Sequence, residues 1–281
     1  MTEQNSTDRF TARFAALRAR GEGAFVPFVN LCDPDPETSA RVVEALVEGG
    51  ADALELGIPF SDPCADGPVI EASAGRALAA GSTTTKCLAV VKGLRDRHPD
   101  LPICLMLYVN LTVAPGLAKF FADAKAAGVD AVLIPDVPVS MREAEPEWDE
   151  TARAAGIDLI AIAPPASSPE LLAKIARLSK GYVYLLSRVG ITGTDRAAEM
   201  PHLEEVKALR AAGSAPLLLG FGISTPEHVR AALRSGADGA IAGSAVTKVI
   251  ARNLGDTPRM LEELREFVRS MKAATKAAWI G

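Results

Sequence analysis

One carboxylate in the sequence stands where acid and base chemistry would be expected. The stretch ALELGIPFSDPCADGP occupies 53–68, and strand alternation puts Leu54 and Leu56 on one face and Glu55 on the other. If the apolar face meets helices, Glu55 points inward, where an ionised carboxylate is costly unless it is paired or has a raised pKa. A raised pKa suits a general acid/base. A structural ion pair is the alternative, but the inward-facing strand segments contain no Lys or Arg, which favours chemistry.

A second carboxylate follows in the next loop. Asp62 and Asp66 lie among three prolines and a glycine, a composition that predicts a stiff, shaped loop. Acidic residues in such loops more often bond to nearby backbone than catalyse, and this alternative stays open for Asp66 considered alone. Its position close after Glu55 favours a catalytic role.

Late glycine-containing loops favour an anion site. LLLGFGIST at 217–225 and AIAGSAV at 240–246 each precede a helical pattern. Amides at helix N-termini bind anions without side-chain charge, and the last two loops of α/β barrels commonly hold phosphate. A third segment, YLLSRVGITGT at 184–194, is typical of a lid that closes on a phosphorylated substrate. An ordinary surface loop has the same composition, so both interpretations stay open.

The elements that must position these residues follow a repeat. A Gly-x-Asp phrase recurs at Gly50, Gly128, Gly156 and Gly236, each time between a helical pattern and an apolar run. This indicates a helix-plus-strand unit of about 30 to 40 residues, with glycine as a left-handed helix stop. Eight strands are expected, near 25–31, 53–57, 102–108, 131–135, 158–163, 181–187, 216–221 and 239–243. Helical patterns fill the intervals, at 36–49, 84–97, 116–127, 141–155, 168–179, 202–212 and 225–235, with a last one at 257–278.

This alternation predicts an α/β fold, a (β/α)8 barrel formed as one domain by residues 1–281. An extra N-terminal helix is expected to cover one end of it, because Phe10, Phe14 and Leu17 follow helical spacing.

Composition excludes several classes of protein. The chain has 281 residues, 48% of them hydrophobic, and a net charge of −5, so it lacks the basic character of a nucleic-acid or membrane-surface protein. The N-terminus has the features of neither a signal nor a transit peptide. Four cysteines without a CxxC pair, and no histidine cluster at strand ends, favour reduced thiols in the cytoplasm and no metal site. Cys32 and Cys64 are expected to approach each other at one barrel face, mainly as buried packing.

Five motifs are spread over nearly the whole chain: FVPFV at 25–29, LELGIPFSDPCADGP at 54–68, YLLSRVGITG at 184–193, GFGIS at 220–224 and GSAV at 243–246. In this order and spacing they resemble the tryptophan synthase alpha subunit family. The resemblance implies a (β/α)8 barrel that cleaves indole-3-glycerol phosphate by a retro-aldol reaction to indole and glyceraldehyde 3-phosphate, a carbon-carbon lyase step of tryptophan biosynthesis.

The resemblance also implies site residues. Glu55 matches the general acid/base that protonates indole C3 and assists removal of a side-chain hydroxyl proton. Asp66 matches the carboxylate that stabilises the cationic indolenine and accepts the indole N–H. Tyr184 matches a tyrosine beside the general acid/base, and Thr192 matches a lid threonine that meets the Asp66 loop on closure. The implied phosphate site consists of the amides of Gly193, Gly222, Gly243 and Ser244. The implied indole pocket consists of Phe28, Tyr108, Ile162 and Phe221.

A partner follows from the same resemblance. It implies an alpha2-beta2 complex with a beta subunit that carries pyridoxal phosphate and receives indole through a tunnel. Asn110 and Asp136 match positions associated with communication to that partner, and no cofactor is expected in this chain. Three residues depart from the family's common pattern: Asn30 replaces threonine, Cys32 replaces glycine and Cys64 replaces leucine. All three are expected near the active face.

Other functions compete with this one. A free-standing indole-3-glycerol phosphate lyase, which acts without a beta subunit, would use the same carboxylates. A phosphosugar isomerase would share the phosphate loops but needs acid/base residues at other strand ends, and these are not evident. A non-catalytic regulatory subunit would be favoured by loss of Glu55 or Asp66, and both are present.

Overall fold

Strands and helices alternate along the chain. The computed structural model describes residues 7–187 and 203–276, with side chains from 9 and from 204 onward. The strands are β1 Ala24–Asn30, β2 Leu54–Gly57, β3 Ile103–Met106, β4 Ala131–Leu133, β5 Asp158–Leu159, β6 Ala161–Ala163, β7 Val183–Leu186, β8 Leu217–Gly220 and β9 Gly239–Ala242. The helices are α1 Thr7–Ala19, α2 Pro36–Glu48, α3 Pro68–Ala79, α4 Thr84–Arg97, α5 Asn110–Val113, α6 Leu117–Ala127, α7 Val139–Ala144, α8 Glu147–Ala154, α9 Pro169–Leu178, α10 Leu203–Ala211, α11 Pro226–Arg234, α12 Ser244–Arg252 and α13 Thr257–Lys276. In the described ranges, none of these helices is long and apolar enough to cross a membrane.

The strands form a parallel sheet that curls into a barrel. Their order is β5-β4-β3-β2-β1-β9-β8-β7-β6, so the two ends of the sheet, β5 and β6, are neighbours in sequence. The single strand expected at 158–163 is therefore wrong in detail. Its first half pairs with β4 and its second with β7, and only Ile160 separates them. Counted as one barrel position, this segment completes the predicted (β/α)8 barrel.

Two apolar clusters divide the barrel into an inside and an outside. Leu54 and Leu56 belong to the outer cluster, between the strands and the helices, whereas Ala53 belongs to the inner one. Glu55 is 1% exposed and lines the cavity inside the barrel. The predicted alternation along β2 is confirmed, and it is what turns a carboxylate inward.

Helix α1 packs on the inner cluster at the end of the barrel where the strands begin. Phe10, Phe14 and Leu17 belong to that cluster, and the ring of Phe10 lies 5.5 Å from the ring of Tyr182. Arg9 donates to the carboxylate of Asp130, directly before β4. The extra N-terminal helix therefore closes the barrel end at which the strands begin.

The predicted helix ranges differ from the observed helices in one division and in three omissions, α3, α5 and α12. The helix expected at 141–155 is wrong, because the segment forms α7 and α8, with Glu145 and Pro146 between them. Proline lacks the backbone N–H that a continuous helix needs, which accounts for the break. The predicted helices also omit α3, which begins with Pro68 as its first residue, a favourable position for proline.

The repeated glycines end helices as expected. Gly50, Gly128, Gly156 and Gly236 have φ of +102°, +92°, +71° and +92°. Side chains other than glycine are strained there. Each glycine reverses the chain, so that the aspartate two residues later reaches the start of a strand.

Candidate active site

Glu55 is a buried carboxylate that accepts a hydrogen bond from a tyrosine. The hydroxyl of Tyr182 donates to its Oε1 at 2.7 Å. Burial raises the pKa of Glu55 to about 7, the Tyr182 hydroxyl opposes this rise, and the charge of Asp66 adds to it. Both protonation states are thus populated near neutral pH, as a group that gives and takes protons requires.

Asp66 provides the second carboxylate, two residues before α3. It is 5% exposed, and the hydroxyl of Tyr108 donates to its Oδ2 at 3.0 Å. The same hydroxyl accepts the backbone N–H of Ala65 at 3.1 Å, which fixes the loop against Tyr108. Burial raises the pKa of Asp66 to about 6, opposed by the Tyr108 hydroxyl and assisted by the charge of Glu71. Asp66 is therefore mainly ionised at pH 7, when Glu55 is about half protonated.

Both carboxylates line one cavity of about 340 Å³ at the carboxyl end of the barrel. Its walls are mostly apolar, and they include Phe28, Ile162 and Phe221 of the predicted indole pocket. The fourth predicted residue, Tyr108, contributes through its bond to Asp66. Sequence reasoning missed further wall residues: Ile70, Met106, Leu133, Leu186 and Ile241. All but Ile70 lie on strands. The alternation of inward and outward side chains along each strand could have identified them, had it been followed to the strand ends.

The predicted phosphate residues converge at another part of this cavity. Gly222, Gly243 and Ser244 line it, and α12 begins at Ser244 with Gly243 before it. Among the described residues no side chain caps this helix, so its first amides can bind an anion. Thr192 and Gly193, and the rest of the predicted lid after Ser187, lie outside the described residues.

The loop after β8 holds an unusual conformation at this end. Phe221 has φ +66° and Gly222 has φ +74°. The strained Phe221 is held in place because Ser187 donates to its carbonyl oxygen at 2.9 Å, while its ring meets Tyr184 edge-on at 6.2 Å. The loop is thereby shaped before any ligand binds.

Two tyrosines of the β7 segment divide the role expected of one. Tyr182 donates a hydrogen bond to Glu55, whereas Tyr184 lines the cavity beside the same carboxylate. Burial raises the pKa of Tyr184 above its usual value, and the negative charge of Glu55 raises it further. A Cβ at Gly220 would lie 2.2 Å from the Tyr184 hydroxyl, so glycine makes room for this side chain. Sequence reasoning missed Tyr182, although two tyrosines spaced by two residues share one strand face.

The departures from the family pattern have distinct contacts. Asn30 donates through Nδ2 to Ile70 O and to Ser73 Oγ, both at 3.2 Å, and ties β1 to α3. The expected approach of Cys32 to Cys64 is not found, because the Sγ of Cys32 contacts Cys87 at 3.8 Å. Buried packing is wrong for Cys64, which is exposed in its proline-rich loop, and right for Cys32.

The two residues associated with a partner, Asn110 and Asp136, are linked through Val109. Asp136 accepts the backbone N–H of Val109 at 3.0 Å, and Asn110 follows as the first residue of α5. This bond links the segments that follow β3 and β4, next to Tyr108.

Comparisons with known proteins agree with this geometry. A model of the family described as "Tryptophan synthase alpha chain" matches residues 14–276. A tryptophan synthase alpha chain of Klebsiella pneumoniae is 50% identical over 271 residues, which cover 96% of this chain and 100% of the relative. One from Shewanella baltica is 51% identical, covering 96% and 98%. Among solved structures, Mycobacterium tuberculosis tryptophan synthase matches with a TM-score of 0.84 at 29% identity, covering 95% and 98%. The tryptophan synthase a2b2 complex from Pyrococcus furiosus matches with a TM-score of 0.77 at 34% identity, covering 90% and 98%.

Proposed function

The chain belongs to the tryptophan synthase alpha chain family, and on this premise we propose that Glu55 and Asp66 catalyse its cleavage of indole-3-glycerol phosphate to indole and glyceraldehyde 3-phosphate. The observation that carries the proposal is the pair itself: two buried carboxylates in one cavity, with pKa values raised to about 7 and about 6. Their different protonation at neutral pH separates a proton donor from a charge stabiliser.

Glu55 is the acid and then the base. In its protonated form it gives a proton to indole C3, which makes the ring an indolenine cation. Its carboxylate then takes the proton from the hydroxyl on the side-chain carbon attached to C3. That hydroxyl becomes an aldehyde as the carbon-carbon bond breaks, and the bonding electrons return to the ring and restore indole. Tyr182 positions the carboxylate for both transfers through its bond of 2.7 Å.

Asp66 stabilises the cation. Protonation at C3 puts positive charge on the ring nitrogen. The attraction between this charge and an ionised carboxylate that accepts the N–H is strongest in a cavity with apolar walls. Phe28, Ile162 and Phe221 provide such walls. The Tyr108 hydroxyl keeps Asp66 oriented before substrate arrives.

The phosphate end anchors the substrate. Amides at Gly222, Gly243 and Ser244 surround the start of α12, where the helix dipole favours an anion. Arg142, the basic residue that lines the described part of the cavity, is already paired with Asp149. Backbone groups are therefore the main phosphate ligands, and Thr192 and Gly193 are proposed to complete the site.

The partner, cofactor and location follow from the family. The chain assembles with a beta subunit as alpha2-beta2, in line with the similarity to the Pyrococcus furiosus a2b2 complex. Pyridoxal phosphate belongs to the beta subunit, and this chain uses none. The chain is proposed to form a single barrel domain and to be located in the cytoplasm.

The test is indole release from indole-3-glycerol phosphate by the wild-type chain and by Glu55→Gln, each with and without a beta subunit. Glu55→Gln should reduce release below detection and keep affinity for a phosphate ligand such as glycerol 3-phosphate, because the change leaves the amide site intact. Glu266→Gln, the same change on an exposed position of α13, is the matched control and should retain cleavage. An active Glu55→Gln variant would overturn the mechanism, and high wild-type activity that beta does not raise would favour a free-standing lyase.

A further inference from the structure

Two cysteines lie in contact on the outer side of the barrel, away from the cavity. Cys32 follows β1, Cys87 is in the first turn of α4, and their sulfurs are 3.8 Å apart. Both are buried at 0% exposure. A disulfide needs sulfurs about 2 Å apart, so a shift of roughly 2 Å would join them.

The pair lies just below the surface. The hydroxyl of Ser82 is 3.5 Å from the Cys87 sulfur, and the turn that contains Gly81 and Thr83 is exposed. An opening of this exposed turn would give a water-sized reagent access to the pair.

The two thiols are chemically unequal. A hydrogen bond from the Cys87 thiol stabilises the Cys32 thiolate and lowers the pKa of Cys32 to about 7, against the opposing effect of burial. The same contact raises the pKa of Cys87 above its ordinary value, and burial adds to that rise. Cys32 is thus suited to be the first nucleophile and Cys87 the second.

We propose that Cys32 and Cys87 form an oxidative modification site, a dithiol that hydrogen peroxide closes to a disulfide. The Cys32 thiolate attacks one peroxide oxygen, the oxygen-oxygen bond breaks, and Cys32 becomes a sulfenic acid while the other oxygen leaves as hydroxide and takes up a proton. Cys87 then loses its proton and attacks the Cys32 sulfur, so that the sulfur-sulfur bond forms and the sulfur-oxygen bond breaks with release of water. Two thiols are oxidised, and one peroxide is reduced to two waters.

The disulfide also acts on the active site, a consequence that rests on the proposed function. Asp33, next to Cys32, accepts hydrogen bonds from Ser73 Oγ at 2.6 Å and from Arg76 Nε at 2.9 Å, both on α3. Helix α3 begins two residues after Asp66. Drawing Cys32 toward α4 moves this anchor, and with it the loop that aims Asp66.

The experiment uses the whole chain with Cys64→Ser, because the exposed Cys64 would itself react with peroxide. After treatment with hydrogen peroxide, free thiols are blocked and the chain is cut with trypsin without reduction. The expected product is a peptide of 21–41 linked to one of 87–92, lighter by two hydrogens than the separate peptides and split by dithiothreitol. Adding Cys32→Gly should abolish the linked peptide. This variant should fold, because the φ of +64° at Cys32 suits glycine.

Two results would overturn the site: Cys32 advancing to sulfinic acid without a link, or both thiols staying reduced at a peroxide dose that oxidises Cys64 in the wild type. Indole release by the Cys64→Ser chain should fall about tenfold on oxidation and recover with dithiothreitol, whereas the variant with Cys32→Gly should be unaffected. A linked peptide with unchanged release would disprove the coupling to Asp66. Loss of release before any oxidation would instead count against the proposed function, while the linked peptide would still report on the site.

Discussion

Both ends of the barrel carry buried carboxylates, but their partners differ. At the end where the strands begin, Asp52, Asp130 and Asp238 each accept a backbone N–H of the neighbouring strand, at 2.8 to 2.9 Å. Each also meets a cation: Lys272 lies 3.0 Å from Asp52, Arg95 2.7 Å from Asp130 and Arg210 3.2 Å from Asp238. These are structural carboxylates, held by backbone and charge.

At the catalytic end, tyrosine hydroxyls replace the cations. In the described part of the chain neither Glu55 nor Asp66 has an ion pair, and each accepts a hydrogen bond from a tyrosine. Burial raises the pKa of Asp52 and of Asp130 as well, against the opposing effect of their cations and backbone N–H donors. At Glu55 and Asp66 a neutral hydroxyl is the opposing group, and the pKa values rise to about 7 and about 6. The comparison indicates that a buried carboxylate with a cation beside it serves the structure, whereas one with only a neutral donor suits the proposed proton transfer and charge stabilisation.

Asp158 differs from the other three aspartates at the end where the strands begin. Its Oδ2 has no hydrogen-bond partner among the described residues, and burial raises its pKa to about 6. Its pKa is raised like those of Glu55 and Asp66, yet it lies at the beginning of β5, at the opposite end of the barrel from the cavity. A raised pKa alone therefore does not identify the site, and the cavity is needed as well.

The largest effect should come from Asp66→Asn, which removes the charge that stabilises the cation and nearly preserves shape. We expect kcat for indole release to fall about a thousandfold, with the thermal midpoint little changed. Steady-state kinetics and a melting curve check this. A loss below tenfold would mean that Asp66 is a turn former.

Asp130→Ala should break the structural end instead. Arg95 would stay buried without its partner, so the free energy of unfolding should fall by about 3 kcal/mol. Asp123→Ala, which removes an exposed carboxylate paired with Lys119, should change it by less than about 0.5 kcal/mol. Urea titration measures both. Equal losses in the two variants, or a specific loss of kcat in folded Asp130→Ala, would contradict the comparison.

Glu55→Gln should show the stability cost of a reactive carboxylate. The pKa of Glu55 is about 7 in the folded chain against an ordinary 4.5, so the folded state holds its proton more tightly and loses stability as pH rises through this window. Removing the charge should leave stability nearly unchanged near pH 4 and raise it at pH 8 by about 3 kcal/mol. Urea titrations at the two pH values test this, and a gain that does not depend on pH would refute it.

Tyr182→Phe should have the smallest effect and test the tyrosine directly. Loss of its hydrogen bond should raise the pKa of Glu55 further, so the alkaline fall of kcat should move to higher pH by roughly one unit. The maximal rate should drop about fivefold through looser positioning. Tyr184→Phe is the matched control and should leave the pH of the alkaline fall unchanged. A merely structural role for Tyr182 would lower the rate without shifting the pH of this fall.

Much of the fold could be predicted because its signals are local. The inward turn of Glu55 follows from alternation within β2, and the glycine stops follow from φ at single residues. The errors also have local causes: Pro146 divides the helix expected at 141–155, and α3 follows a loop whose prolines obscure its start.

The sequence by itself determined the barrel, the inward position of Glu55 and the glycine loops that follow β8 and β9, because strand alternation, helix stops and proline act over a few residues. Only the tertiary structure decided which tyrosine meets Glu55, that Cys32 contacts Cys87 and that the strand at 158–163 divides between two neighbours. These contacts join residues far apart along the chain, 127 positions for Glu55 and Tyr182 and 55 for the two cysteines. Their choice depends on register and curvature around the closed barrel, differences of a few ångströms that a local pattern does not encode.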